Sequence, residues 1–140
     1  MITGLDKVDI ADHWDELAEL IAKPLKKTET EHLYTPDDVL WKCVETHWQC
    51  WASVSNKIDC VFITYITPYP TGYKTFTVYL VGGYRIHTWL EEAWNLFKAY
   101  AKHNNCSEII GMGREGWLRV LSKVEENKFR ERLTFSVRID

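Results

Sequence analysis

Between Lys74 and Trp117 the chain changes its hydrophobic period from two to 3.6 and back, and that order admits few folds. Phe76, Val78 and Leu80 alternate with Thr75, Thr77 and Tyr79, the pattern of a strand that buries one face fully and part of the other. Gly82 and Gly83 then form a corner where missing Cβ atoms permit positive φ and close backbone approach. From about Arg85, Trp89, Ala93, Leu96 and Tyr100 recur at helical spacing, a stripe expected to pack on a sheet. Asn104 and Asn105 end the helix, and Ile109 and Ile110 begin a second strand. A right-handed crossover lays that strand parallel to the first, which makes the segment a βαβ unit.

The remainder reads around this unit. Residues 1 to 8 hold at most a short edge strand, weakened by Gly4 and Asp6. Asp9 is a candidate N-cap for a helix carrying Ile10, Trp14, Leu17, Ile21 and Leu25, which Pro24 is expected to end or kink. After the polar stretch KKTETEHLY, Thr35 as N-cap, Pro36 at the first position and Asp37 and Asp38 in the first turn predict a second helix. Residues 48–55 alternate as a strand, Asn56-Lys57 gives a turn, and residues 58–66, apolar on both faces, read as a central strand. A short helix carrying Trp117, Leu118, Leu121 and Val124 and a closing strand with Leu133, Phe135, Val137 and Ile139 on one face complete the chain. The expected order is α-α-β-β-β-α-β-α-β in one domain over residues 1–140, an α/β (α+β) fold with a mixed sheet of five to six strands and helices on both faces.

Composition narrows the function classes. A net charge of −3 gives no electrostatic footprint for nucleic acid, and the basic run Lys23, Lys26, Lys27 falls at a helix end, where cations favour the dipole. No stretch has the layout of a secretory signal or the length of a membrane span, so a cytosolic setting and reduced thiols are expected for the four cysteines. Cys43, His47, Cys50 and Cys60 contain a C-x3-H-x2-C run that could share a metal, but the cysteines occupy buried positions of a helix stripe and of strands, and the core reading is preferred with no metal assigned. Cys106 with His103 three residues before it could serve as a nucleophile, against a bland place at a helix end. Arg114 and Glu115 follow the C-terminal end of a parallel strand, where α/β sheets bind ligands, although a structural tie is the favoured reading. Trp48 and Trp51 point to opposite faces of one strand, so either helices cover both faces or one indole lies at an interface; seven tryptophans in 140 residues keep the second option open.

The succession of elements resembles the GNAT (Gcn5-related N-acetyltransferase) fold. The YLVGG corner at Tyr79 to Gly83, Trp89 and Trp94 in the following helix, the AK-x-x-x-C-x-x-I run from Ala101 to Ile109 and the GR-x-GW tail from Gly113 to Trp117 look more specifically like GNAT-like proteins of tailed bacteriophages. The resemblance implies a site for the pyrophosphate of acetyl-CoA at the start of the βαβ helix, in the family a [Q/R]-x-x-G-x-[G/A] loop. Here that place reads Val81-Gly82-Gly83-Tyr84-Arg85-Ile86-His87-Thr88, with the glycines early and adjacent and bulky residues where bare backbone is expected, a degenerate loop. The family's acid, a Tyr early in the helix after the fifth strand, is replaced by Trp117; Tyr79, Glu115 and His87 are substitutes of a sort. The expectation is therefore a non-enzymatic phage scaffold, a structural or accessory component of the virion or its assembly. It would have no cofactor, protein partners such as virion proteins or further copies of itself, and a place in the infected cell's cytoplasm or the virion. The alternative is an acetyl-CoA-dependent N-acetyltransferase acting on an amine of a host protein or small molecule, with Arg85 and the backbone from Val81 to His87 holding the cofactor.

Overall fold

The structure, a computed structural model, describes residues 1–54, 57–111 and 136–139. A five-stranded mixed sheet carries helices on both faces. In chain order the elements are β1 (Ile2–Gly4), α1 (Lys7–Asp12), α2 (Trp14–Lys27), α3 (Pro36–Glu45), β2 (Gln49–Val54), β3 (Ile58–Pro68), β4 (Lys74–Gly83), α4 (Ile86–His103) and β5 (Glu108–Gly111). The strands lie in the order β1-β2-β3-β4-β5; the first four pair antiparallel, and β5 joins β4 in parallel after the α4 crossover. The short helix expected after Trp117 and the first half of the closing strand lie outside the described residues; residues 136–139, expected to complete that strand, have no regular structure, and Val137 and Ile139 are exposed.

Two apolar layers sandwich the sheet. Ile10, Leu17, Ile21 and Leu25 with Val39, Leu40 and Cys43 pack from α1–α3 onto Ile63 and Leu80. Ala93, Phe97 and Ala101 of α4 cover the other face, on Trp51, Phe62 and Phe76. The buried stripe of α4 is thus Leu90, Ala93, Phe97 and Ala101, one position round from the expected one, with Trp89, Leu96 and Tyr100 at its margins. Among the described residues no helix is long and apolar enough to cross a membrane.

Where α2 meets β4 the backbones come close. Pro24, expected to end or kink the first helix, does not end it: α2 continues to Lys27 with Pro24 inside it. A proline has no N–H to return to the carbonyl four residues back, here that of Leu20. That carbonyl lies against β4: a Cβ on Gly82 would stand 2.2 Å from the Leu20 oxygen and 3.0 Å from Pro24 Cγ. The expected Asp9 cap is instead the third residue of a capping box with Asp6, and the helix is divided at His13, after which the Trp14 indole donates to Asp37 Oδ1 at 2.7 Å. Helix α2 ends with Glu29 at φ +58° and the Thr30 amide bonded to the Leu25 carbonyl at 3.1 Å. This wrap of a left-handed residue satisfies orphan carbonyls and turns Thr30 back toward the sheet.

Candidate functional site

The candidate site begins at the last described pair of β4 and β5, Val78↔Gly111. Among the described residues their pairing runs from Thr75↔Glu108 to Val78↔Gly111, and β4 is paired with β3 as far as Gly83. Next to that last β5 pair, Ile63 pairs with Leu80 and Thr64 with Val78, so Tyr79 is an extra residue on β4. A bulge of this kind re-aims side chains. It breaks the expected alternation: Phe76 faces α4, while Tyr79 and Leu80 both join the α2–α3 layer.

Just past β4 the Tyr84 amide donates to the Asp59 carbonyl at 2.7 Å, and Arg85 takes up φ +56° as the residue that opens α4. Helix α4 has no acidic residue in its first turn, and its N-cap residue, Arg85, makes no side-chain cap hydrogen bond. The first amides of a helix lack intrahelical partners and carry the positive end of the dipole. Arg85 and His87 are exposed beside them and Ile86 is half-buried. The two glycines answer to packing. Gly82 admits the Leu20 carbonyl, and Gly83, at φ +120°, sits where a Cβ would meet the Asp59 oxygen at 2.2 Å and Cys60 Cα at 2.6 Å. Their early, adjacent spacing therefore reports on α2 and β3, and the first amides of α4 lie downstream of them.

Tyr79 is 4% exposed and its ring belongs to an aromatic cluster. Trp48 stacks on Tyr65 with centroids 4.9 Å apart; Trp48, Tyr65 and Tyr34 meet Tyr79 edge-on at 5.7, 6.1 and 6.4 Å. The Tyr79 hydroxyl donates to Thr30 Oγ1 at 2.5 Å, and Thr30 Oγ1 lies 2.8 Å from Thr28 Oγ1. Burial pushes the Tyr79 phenol above its ordinary pKa of 10.0; the Thr30 hydrogen bond acts in the opposite direction, and the Tyr34 and Tyr65 hydroxyls add to the rise.

The other sequence candidates separate. Cys43 and Cys50 lie in the α2–α3 layer, Cys60 lies across the sheet, and His47 is exposed, so the C-x3-H-x2-C run does not converge with Cys60. Burial raises the Cys43 thiol to about 12 and the Cys60 thiol to about 11. Cys106 is half-buried with its amide on the Ala101 carbonyl, closing α4, and His103 is exposed. Trp51 is covered by Phe97 and Tyr100 and donates to Thr64 Oγ1, while Trp48 joins the aromatic cluster, so helices and loops cover both indoles at least in part. Arg114, Glu115 and Trp117 lie outside the described residues. Sequence reasoning missed Thr28, Thr30, Tyr34 and Tyr65: the first three sit in or beside a stretch read only as polar, and the bulge that gathers them has no signature in a single sequence.

No protein-family model and no curated protein matches the chain. Solved structures do. An aminoglycoside acetyltransferase from an uncultured soil metagenomic sample superposes with a TM-score of 0.73 at 14% identity, over 100% of this chain and 98% of its own. A predicted acetyltransferase from Clostridium acetobutylicum, solved with acetyl-CoA, gives 0.71 at 14% identity over 97% and 95%. A ribosomal-protein-alanine N-acetyltransferase from Brucella melitensis biovar Abortus 2308 gives 0.67 at 14% over 99% of each chain.

The fold is that of the GNAT acetyltransferases.

Two expectations are corrected by this comparison. The non-enzymatic virion scaffold and the absence of a cofactor gave way because these whole-length structural relatives are acetyltransferases, one of them holding acetyl-CoA. The physical error lay in treating the glycine spacing as the measure of anion binding, when packing sets that spacing and the amides at the start of α4 are independent of it.

Proposed function

We propose that this chain is an acetyl-CoA-dependent N-acetyltransferase. The observation that carries the reading is one end of the sheet: past the last described β4–β5 pair, Val78↔Gly111, comes a bulged, buried tyrosine, and the start of α4 with Arg85, without a side-chain cap from that residue, follows a few residues on. The residues present fit the cofactor. Amides at the start of α4, with Arg85 beside them, suit a pyrophosphate, since the helix's own first turn carries no acidic residue. From Tyr79 to Gly83, about 13 Å at ~3.3 Å per residue, β4 has no β5 partner among the described residues, and backbone groups along this edge would suit the amides of an extended pantetheine arm. When bound, acetyl-CoA supplies the thioester carbonyl.

Transfer forms a bond from the acceptor nitrogen to the acetyl carbon and breaks the carbon–sulfur bond. Tyr79 passes its phenolic proton to the departing thiolate and recovers the proton that the acylated nitrogen sheds, so the phenol is restored. Its raised pKa keeps the proton in place at neutral pH until the thiolate forms. The acceptor is an amine of a protein or small molecule, and the chain works as one domain. Its likeness to phage-encoded GNAT-like proteins in the YLVGG and GR-x-GW elements supports a viral enzyme of the infected bacterium's cytoplasm.

Isothermal titration with acetyl-CoA and CoA tests the reading. Micromolar binding that Arg85→Ala weakens is expected; no heat with either ligand defeats it.

A further inference from the structure

We infer that Thr30, backed by Thr28, is a positioning residue for the Tyr79 hydroxyl: the two threonines form a reversible hydroxyl relay that lets the phenol present either its proton or its lone pair to the reacting groups. The inference rests on the proposed role of Tyr79. In one polarity the phenol donates to Thr30 Oγ1, Thr30 donates to Thr28 Oγ1, and Thr28 donates to the carbonyls of Pro24 and Leu25 at 3.1 and 3.2 Å. In the other, all three hydroxyls turn: Thr28 donates to Thr30, Thr30 donates to Tyr79, and the phenolic hydrogen is released toward the thiolate.

Reversal strands no buried group. The Pro24 carbonyl keeps the Thr28 amide at 3.0 Å, and the Leu25 carbonyl keeps the Thr30 amide at 3.1 Å. Each carbonyl therefore loses only a second, optional donor, and the cost of an unsatisfied acceptor does not arise. After the proton leaves, the Thr30 hydroxyl already points at the phenolate, and a hydrogen bond to a charged oxygen is the stronger kind. The left-handed Glu29 holds this arrangement. A non-glycine residue there is strained, and the wrap it makes carries Thr30 to the phenol. The groups that act on the phenol are the Thr30 hydroxyl and the Tyr34 and Tyr65 hydroxyls from the α2–α3 segment and β3; the charged or titratable neighbours of Thr30 in the chain, Glu29, Glu31 and His32, are exposed, and Lys42 of α3 lies over the Trp48 ring at 5.8 Å.

The test follows the phenol itself. In full-length protein labelled with ¹³Cζ-tyrosine, the Tyr79 resonance is assigned by its loss in Tyr79→Phe and titrated by NMR in wild type, Thr30→Val and Thr30→Ser. Thr30→Val is expected to leave about tenfold less phenolate at a given alkaline pH, the loss of one hydrogen bond to a charged group. Acetyl transfer should fall about tenfold in kcat with KM for acetyl-CoA unchanged, and its basic limb should move to higher pH. Thr30→Ser should restore all three readouts. A Thr30→Val titration that overlays wild type, or a serine variant as impaired as the valine one, overturns the relay. Thr28→Val gives a smaller shift in the same direction and decides the matter should Thr30→Val not fold. Failure of the proposed function is seen separately, as absent acetyl-CoA binding, because the NMR titration needs no turnover.

Discussion

Helix α3 begins behind Pro36 at a reciprocal cap: the Asp38 amide donates to Thr35 Oγ1 at 3.1 Å, and the Thr35 amide donates to the Asp38 carboxylate at 2.9 Å. Helix α4 begins at a left-handed arginine, with no side-chain cap and no acid in its first turn. Both helices pack on the same sheet through apolar stripes of similar kind, so the contrast is confined to their first turns. At α3 the chain supplies the negative partner that the amides and dipole require. At α4 it withholds one and places a cation there. A helix start left in this state is less stable than it could be, and the proposed pyrophosphate is what would complete it.

The largest effects should come from the corner that sets α4 in place. Gly82→Ala brings a methyl within 2.2 Å of the Leu20 carbonyl, and neither β4 nor α2 can give way without disturbing the core. A loss of about 3 kcal/mol is expected by chemical denaturation, the upper range for overpacking. An alanine variant as stable as wild type would mean that α2 does not approach β4 as closely as described. The first turn of α4 comes next. His87→Asp installs the acid that α3 has and α4 lacks; acetyl-CoA affinity should drop at least about tenfold while the melting temperature holds or rises, since an acid there favours the dipole by about 0.5 kcal/mol. Weaker binding accompanied by lower stability would place the effect in packing instead. Thr35→Ala is the counterpart: about 1 kcal/mol of stability is lost, and acetyl-CoA affinity should not change. Arg85→Gly should behave in the reverse sense. It gains about 0.5 kcal/mol by relieving the left-handed strain and loses cofactor affinity. If both substitutions moved stability and binding together, the division of labour between the two helix starts would be refuted.

The start of α3 was fully legible in the sequence because every component of the cap is local: Thr35, Pro36 and Asp38 lie within four residues. The βαβ unit was legible for the same reason, being a change of period along a continuous stretch. The start of α4 was legible in place but not in meaning. Gly82 and Gly83 are required by Leu20 and Asp59, residues sixty-two and twenty-four positions earlier, and no local pattern separates a glycine that admits a helix from one that admits a phosphate. Tyr79 was named as a candidate, yet its partners Thr30, Tyr34 and Tyr65 come from other elements and meet only through the bulge. The break at His13 and the rotation of the α4 stripe were invisible for a related reason. A chain that can bury either of two adjacent helical stripes is decided by the sheet beneath it, here by the fit of Phe97 against Phe62, Phe76 and Trp51.

Acid offers the gentlest way to separate the two helix starts. Hydrogen bonds from the Thr35 backbone and side chain hold the Asp38 carboxyl below its ordinary pKa of 3.8. A group whose pKa is lowered on folding stabilises the native state above its unfolded value, and that contribution is lost as pH falls through the folded one. The cap of α3 should therefore hold at neutral and mildly acidic pH and weaken below about 3.8. Helix α4, with no acidic residue in its own first turn, has no such contribution from its cap. Amide exchange measured by NMR from pH 5 to pH 3, corrected for intrinsic rates, should show protection in the first full turn of α3 falling relative to that of α4. Asp38→Asn should flatten that difference, because an amide side chain accepts the same hydrogen bond but does not titrate there. Parallel loss at both helices would assign the change to global unfolding and remove Asp38 as its cause.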